Sequence, residues 1–198
     1  MKKIASPLFQ DLSEAELDTL AAAGHLRTRQ FAKHEVIFRA GSCVREIGIV
    51  LRGSVHIENL DLWGTKSILS SVGAGQAFAE TYAFCGEALM VDAVAAEHCE
   101  ILFLHTAAFT DARIEPALQD KLLRRLLAVS MRKNLSLSQR IFCTTPKTVR
   151  GRLLTYFSAQ AARCGRMEFE VPFNRQQMAD YLNLDRSALS KELCKMRD

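Results

Sequence analysis

Asn174–Met196 reads NRQQMADYLNLDRSALSKELCKM, and its spacing points to two short helices joined by a tight turn. Asn174 can cap the first helix, with Gln177 at the capping-box position three residues on. Met178, Ala179 and Leu182 make its inner face, and Asn183 with Leu184 forms the turn. Asp185 caps a second helix in which Leu189, Leu193 and Met196 recur at i, i+4 and i+7. Arg186, Ser187, Ser190 and Lys191 are left facing outward. Such a second helix can enter a major groove. There Arg186 and Lys191 can donate to guanine O6 and N7, and the serines can meet bases or phosphate. Arg175 and Gln176, at a helix start, suit phosphate contacts. An ordinary helical hairpin with solvated charges would show the same spacing.

The charge distribution favours the first reading. The chain has 198 residues and a net charge of +4. Residues 1–112 hold 9 basic and 14 acidic residues, whereas 113–198 hold 17 basic and 8 acidic ones. A basic C-terminal half suits a polyanion. From Ser67 to Ala112 there is no Lys or Arg at all. Composition is that of a globular protein, 48% hydrophobic and 24% charged, which excludes disorder and low-complexity structure. No apolar run approaches the roughly 20 residues of a membrane helix. No apolar segment precedes Asp11, so a secretory signal is not expected. The six cysteines are then expected as reduced thiols in a cytoplasm.

Upstream of the quoted stretch, Leu118, Leu122, Leu123, Leu126, Leu127, Val129, Met131, Leu135 and Leu137 follow Pro116 without a glycine or further proline. They predict a helix over 113–143, whose 28 residues from Pro116 on would span about 42 Å at 1.5 Å per residue. Leucines lie on more than one face, so one face can pack on its own domain and another on a second copy. Thr144–Lys147 breaks this helix; Thr145 can cap the next, with Pro146 at its first position. MEFEVPF at 167–173 alternates like a short strand.

The N-terminal part reads differently. Ser13 and Glu16 have capping-box spacing ahead of Leu17 and Leu20, with Gly24 as a stop. From Leu26 to about Leu104, short β-branched and aromatic runs alternate with Gly41, Gly48, Gly53, Gly64, Gly73 and Gly75. That predicts antiparallel β structure, a roll or sandwich, with a hairpin turning at Asp61–Gly64.

In this order the elements resemble the Crp/Fnr family of bacterial transcription regulators. RAG at 39–41, LRGSV at 51–55 and GAGQAFAE at 73–80 are similar to the family's β-roll glycines and the start of its phosphate-binding cassette. NRQQMADYLNLDRSALSKEL resembles its DNA-reading motif. The resemblance implies an α+β fold: a cyclic-nucleotide-binding-like jelly roll over 1–112, a dimerisation helix over 113–143 and a winged helix-turn-helix over 144–198, whose wing is absent from this chain. It implies a non-enzymatic, effector-gated homodimer that binds a palindromic site in double-stranded DNA and acts on RNA polymerase. It places Arg186, Ser187 and Lys191 at base-reading positions, Ser187 standing where well-known members have Glu. Asn174, Arg175 and Gln176 fall at backbone-contact positions, and Thr145 at the hinge. No Walker loop, HExxH, GxSxG or zinc-ligand spacing argues for an enzyme.

The cassette departs from the family. Phe78-Ala79-Glu80 keeps the Glu of the cyclic-nucleotide binders but loses a Gly, and Leu89 or Met90 stands where their arginine is expected. A buried phosphate without a cation is costly. The expected effector is a small apolar or aromatic molecule, met by Phe78, Glu80, Tyr82, Leu89, Met90 and Leu126, although the apolar residues of the cassette can simply be core and Glu80 can simply satisfy backbone donors. A cation could still reach in from Arg45, Arg52 or Arg124. No cysteine precedes Cys43 and none forms C-x-x-C, so an iron–sulfur cluster is not expected. Haem needs no motif and stays open, with His25, His34, His56, His98 and His105 as candidate ligands. A thiol sensor through Cys85 or Cys99 is another open reading, as is a sensing module whose helical tail binds a protein. No other cofactor or metal is expected.

Overall fold

Ser13 and Glu16 close the expected capping box: Glu16 N donates to Ser13 Oγ at 3.2 Å, and Ser13 N to Glu16 Oε2 at 2.8 Å. They open α1 (Glu14–Ala22), which follows a short 3-10 helix at Pro7–Phe9. Gly24 ends it in the left-handed region, φ +80°. The computed structural model describes residues 4–60 and 66–197, which fall into two compact units, Met1–Ser130 and Met131–Asp198.

Among the described residues of the first unit eight strands follow α1: β1 (Leu26–Phe31), β2 (Val36–Phe38), β3 (Glu46–Arg52), β4 (Val55–Leu60), β5 (Lys66–Val72), β6 (Ala77–Phe78), β7 (Asp92–Ala95) and β8 (Cys99–His105). A six-residue helix, α2 (Glu80–Cys85), interrupts them after β6. They make two antiparallel sheets, ordered β1-β8-β3-β6 and β2-β7-β4-β5, the expected roll. Strands β4 and β5 pair antiparallel, Val55 opposite Val72; the turn expected at Asp61–Gly64 lies outside the described residues.

The β3–β8 sheet is buried on both faces, which is why ILFL at 101–104 is a continuous apolar run. Successive residues alternate between two cores. Ile47, Ile49, Leu102 and Leu104 join Leu8, Leu17 and Leu20 of the N-terminal helices. Val50, Ile101 and Phe103 turn the other way, to Phe31, Val55 and Phe78. Each such buried side chain contributes roughly 1.5–3 kcal/mol.

Gly48 is not the punctuation its sequence context suggested. It lies inside β3, opposite Phe78, and a Cβ there would fall 2.2 Å from that ring's Cζ. Gly41, Gly53 and Gly75 do sit in turns at positive φ.

The long helix is α3 (Pro116–Thr144). In the first unit Leu118, Leu122 and Leu126 pack into the cluster of Leu8, Leu17 and Leu20, and Lys121 Nζ donates to Glu16 Oε1 at 2.6 Å.

The second unit contains the end of α3 with α4 (Val149–Cys164), α5 (Arg175–Leu182) and α6 (Arg186–Arg197). Its core is Cys143, Leu153, Tyr156, Met178, Ala179, Leu182 and Leu189. The residue capping α4 is Thr148, not Thr145: Thr148 Oγ1 accepts from Gly151 N at 3.0 Å. Thr145 finishes α3 instead, its hydroxyl donating to Ile141 O at 2.8 Å. The expected strand over 167–173 does not form. Among the described residues of the second unit no strand offers it a ladder, and its aromatic side chains pack on the helices: Phe169 approaches Phe157, and Phe173 stacks on Tyr181 at 5.1 Å.

Candidate nucleic-acid interface and effector region

The α5–α6 pair and the turn between its helices are built from their own polar residues. Asn174 Oδ1 accepts from Gln177 N, and Gln177 Oε1 from Asn174 N, both at 2.9 Å. Asn183 ends α5 at φ +53°, a conformation asparagine tolerates. Two arginines then clamp the turn. Arg140 donates to Tyr181 O at 3.0 Å and Asp180 O at 2.9 Å. Arg152 donates to Leu182 O at 3.0 Å, Asn183 O at 2.7 Å and Pro146 O at 2.8 Å. Their guanidinium charge meets the negative end of α5. Sequence reading counted both only as basic charge; each acts on carbonyls about 30 or 40 residues away, and no local pattern marks that.

Asp185 Oδ1 accepts from Ser187 Oγ at 2.5 Å and from Ala188 N at 2.9 Å, starting α6. The Ser187 hydroxyl first, then the Ala188 amide, holds the Asp185 carboxyl below the usual carboxylate range. Leu189 is fully buried beneath the helix. Arg186, Ser187 and Lys191 are exposed and Ser190 is half-buried. Arg175 and Gln176 are also exposed, Gln176 Nε2 donating to Asp180 Oδ1 at 2.9 Å.

In the roll, the residues expected to meet an effector differ in burial and in the cluster they join. Phe78 is 2% exposed in the inter-sheet cluster, its ring 5.8 Å from that of Phe38. Leu126 belongs to the cluster on the α3 side. Leu89 is buried, whereas Met90 is 77% exposed. Tyr82 is half-buried and Glu80 is buried at the first position of α2. Ala79 precedes it at φ +62° with no side-chain cap, a strained conformation for a residue with a Cβ. Of the arginines that could supply a cation, Arg124 pairs with Asp120 at 2.8 Å; Arg45 and Arg52 are exposed.

The five candidate histidines lie apart in the roll, except for one pair. His25 is buried with Nε2 2.7 Å from Asp111 Oδ2, and its ring lies 6.4 Å from that of His105. Among the described residues no group of His, Cys, Asp and Glu is arranged to hold a metal, and no helix is long and apolar enough to cross a membrane. Cys99 is buried, its thiol donating to Ser54 O at 3.0 Å; Cys85 is exposed.

Residues 28–113 match the family model of the cyclic nucleotide-binding domain. Among solved structures, the catabolite activator protein of Thermus thermophilus is 25% identical, covering 97% of this chain and 87% of its own, with a TM-score of 0.53. FixK2 from Bradyrhizobium japonicum shares the fold at 17% identity, 87% and 84% coverage and a TM-score of 0.53. A cyclic nucleotide-binding domain from Methylobacillus flagellatus reaches 0.60 at 20% identity, over 71% of this chain and 78% of its own. No curated protein is similar to the chain. The roll is thus of the cyclic nucleotide-binding type. With the helices that follow, the chain has the fold of the Crp/Fnr-type regulators that it resembles.

Proposed function

We propose that the protein is a homodimeric, sequence-specific DNA-binding transcription regulator, gated by a small molecule other than a cyclic nucleotide. The exposed Arg186, Ser187 and Lys191 on α6, above a buried Leu189, carry this reading. Laid in a major groove, Arg186 and Lys191 donate to guanine edges. Ser187 gives its proton to Asp185, so it offers a base only lone pairs and accepts from an exocyclic amine. Arg175 and the start of α5 face the phosphates.

A second copy joins through α3. Leu127, Met131 and Ile141 are 56%, 50% and 66% exposed on one helical face, a stripe that water does not favour. Two copies set their reading helices about one DNA turn, ~34 Å, apart. The effector reading rests on charge: no Lys or Arg occurs from Ser67 to Ala112, and Phe78 fills the space over Gly48.

Fluorescence anisotropy with duplexes selected from a random pool tests the DNA reading. Affinity should fall steeply with salt, as counterion release requires, and the selected sites should be palindromic. Failure to enrich any sequence overturns it.

A further inference from the structure

We propose that a concavity between the C-terminal turn of α2 and the segment His105–Thr110 is a binding site for a small organic carboxylate with an apolar body. Its volume is about 360 Å³, and Arg45, Phe84, Cys85, His105, Thr106 and Thr110 are among its lining residues. That is near the lower end for small-molecule pockets, which suits a single ring or a short chain.

The lining carries a guanidinium and no carboxylate. Arg45 is exposed and its side chain has no ion pair or hydrogen bond among the described residues, although its backbone is fixed: Thr106 N and Oγ1 both donate to Arg45 O, at 2.9 and 3.2 Å. An uncommitted guanidinium on a fixed backbone can meet a carboxylate's two oxygens. His105 adds a second donor. Its Nδ1 accepts from Ala107 N at 3.0 Å, so in the neutral ring the proton sits on Nε2. Phe84 supplies the apolar wall: it is 51% exposed, with its ring edge-on to Phe109 at 5.5 Å. An anion bound here lies against the segment that α3 holds, because Gln119 Nε2 donates to Asp111 O at 2.9 Å and to Ala108 O at 3.4 Å. This last link rests on the reading of the roll as a sensor; the site does not.

Isothermal titration of the full chain with benzoate, benzamide and inorganic phosphate tests the site. Benzoate should saturate at one per chain, neutral benzamide and phosphate should bind far more weakly, and Arg45→Gln should weaken benzoate about tenfold or more, the scale of a charge-assisted hydrogen bond. Arg52→Gln should leave it unchanged. Equal binding of benzamide or phosphate, wild-type affinity in Arg45→Gln, or no saturation by benzoate at millimolar concentration overturns the proposal. Operator affinity measured in parallel separates the two readings. Benzoate that saturates without changing operator affinity confirms the site and overturns gating through it; loss of benzoate binding with operator binding intact overturns the site alone.

Discussion

Arg152 and Arg186 are both arginines of the basic half, yet their surroundings differ. Arg152 spends its guanidinium on three backbone carbonyls, whereas Arg186 is exposed on α6. Arg186→Ala should therefore leave the melting temperature unchanged and cost ~1–3 kcal/mol at the selected operator, with relaxed specificity at one base pair. Arg152→Ala should instead lower stability by about 1–3 kcal/mol, because the α5 carbonyls lose their donor. Operator titration and urea denaturation of both variants check the pair; an Arg186→Ala variant with wild-type operator affinity refutes base reading. Asp111 supplies a pH-dependent counterpart. The Arg113 side chain first, its amide next and His25 after them hold the Asp111 carboxyl well below the usual carboxylate range. A depressed carboxylate contributes stability that is complete above its unfolded pKa, about 3.9, and is lost as pH falls below it. Asp111→Asn should therefore flatten the acid limb of a stability–pH curve, seen by urea denaturation at about pH 7 and about pH 3.

At the scale of elements, α3 shows two faces of opposite use one residue apart. Leu126 is 6% exposed in the core of the first unit, and Leu127 is 56% exposed. Leu127→Glu should give a folded monomer by sedimentation, while Leu126→Glu should unfold the first unit, since a buried charge without a partner is intolerable. A Leu127→Glu variant that remains dimeric refutes the α3 interface. The same helix marks how far sequence reading reached. The capping boxes at Ser13 and Asn174 were legible because both partners lie within three residues. The alternation in β3 and β8 was legible as apolar runs, but which face met which core was not. Choosing Thr145 over Thr148 as a cap failed because Thr145 satisfies the preceding helix, a choice that spacing does not encode. The strand expected at 167–173 had the right alternation, but a ladder needs a second strand, which lies elsewhere in a chain. Leu126 and Phe78, expected to meet one effector, belong to separate clusters, a division that spacing along the chain does not encode.

For the molecule as a whole, charge is the coarsest signal and the most durable. The first 112 residues are net negative, the remainder net positive, and the division between effector and nucleic-acid roles proposed above follows it. Calorimetric titration with cyclic AMP and cyclic GMP should show no site per chain; micromolar binding abolished by Glu80→Ala refutes the effector reading. Gly48 and Phe78 carry a further consequence, for the chain's history. With the ring tip standing where a Cβ at position 48 would be, neither residue can drift alone. Any side chain gained at 48 demands a smaller one at 78, and shrinking 78 first leaves a void that costs roughly 3–5 kcal/mol if the ring is removed outright. A lineage that reopened the space between the sheets for a larger guest would have to cross that valley, so the two positions should change together or stay as they are.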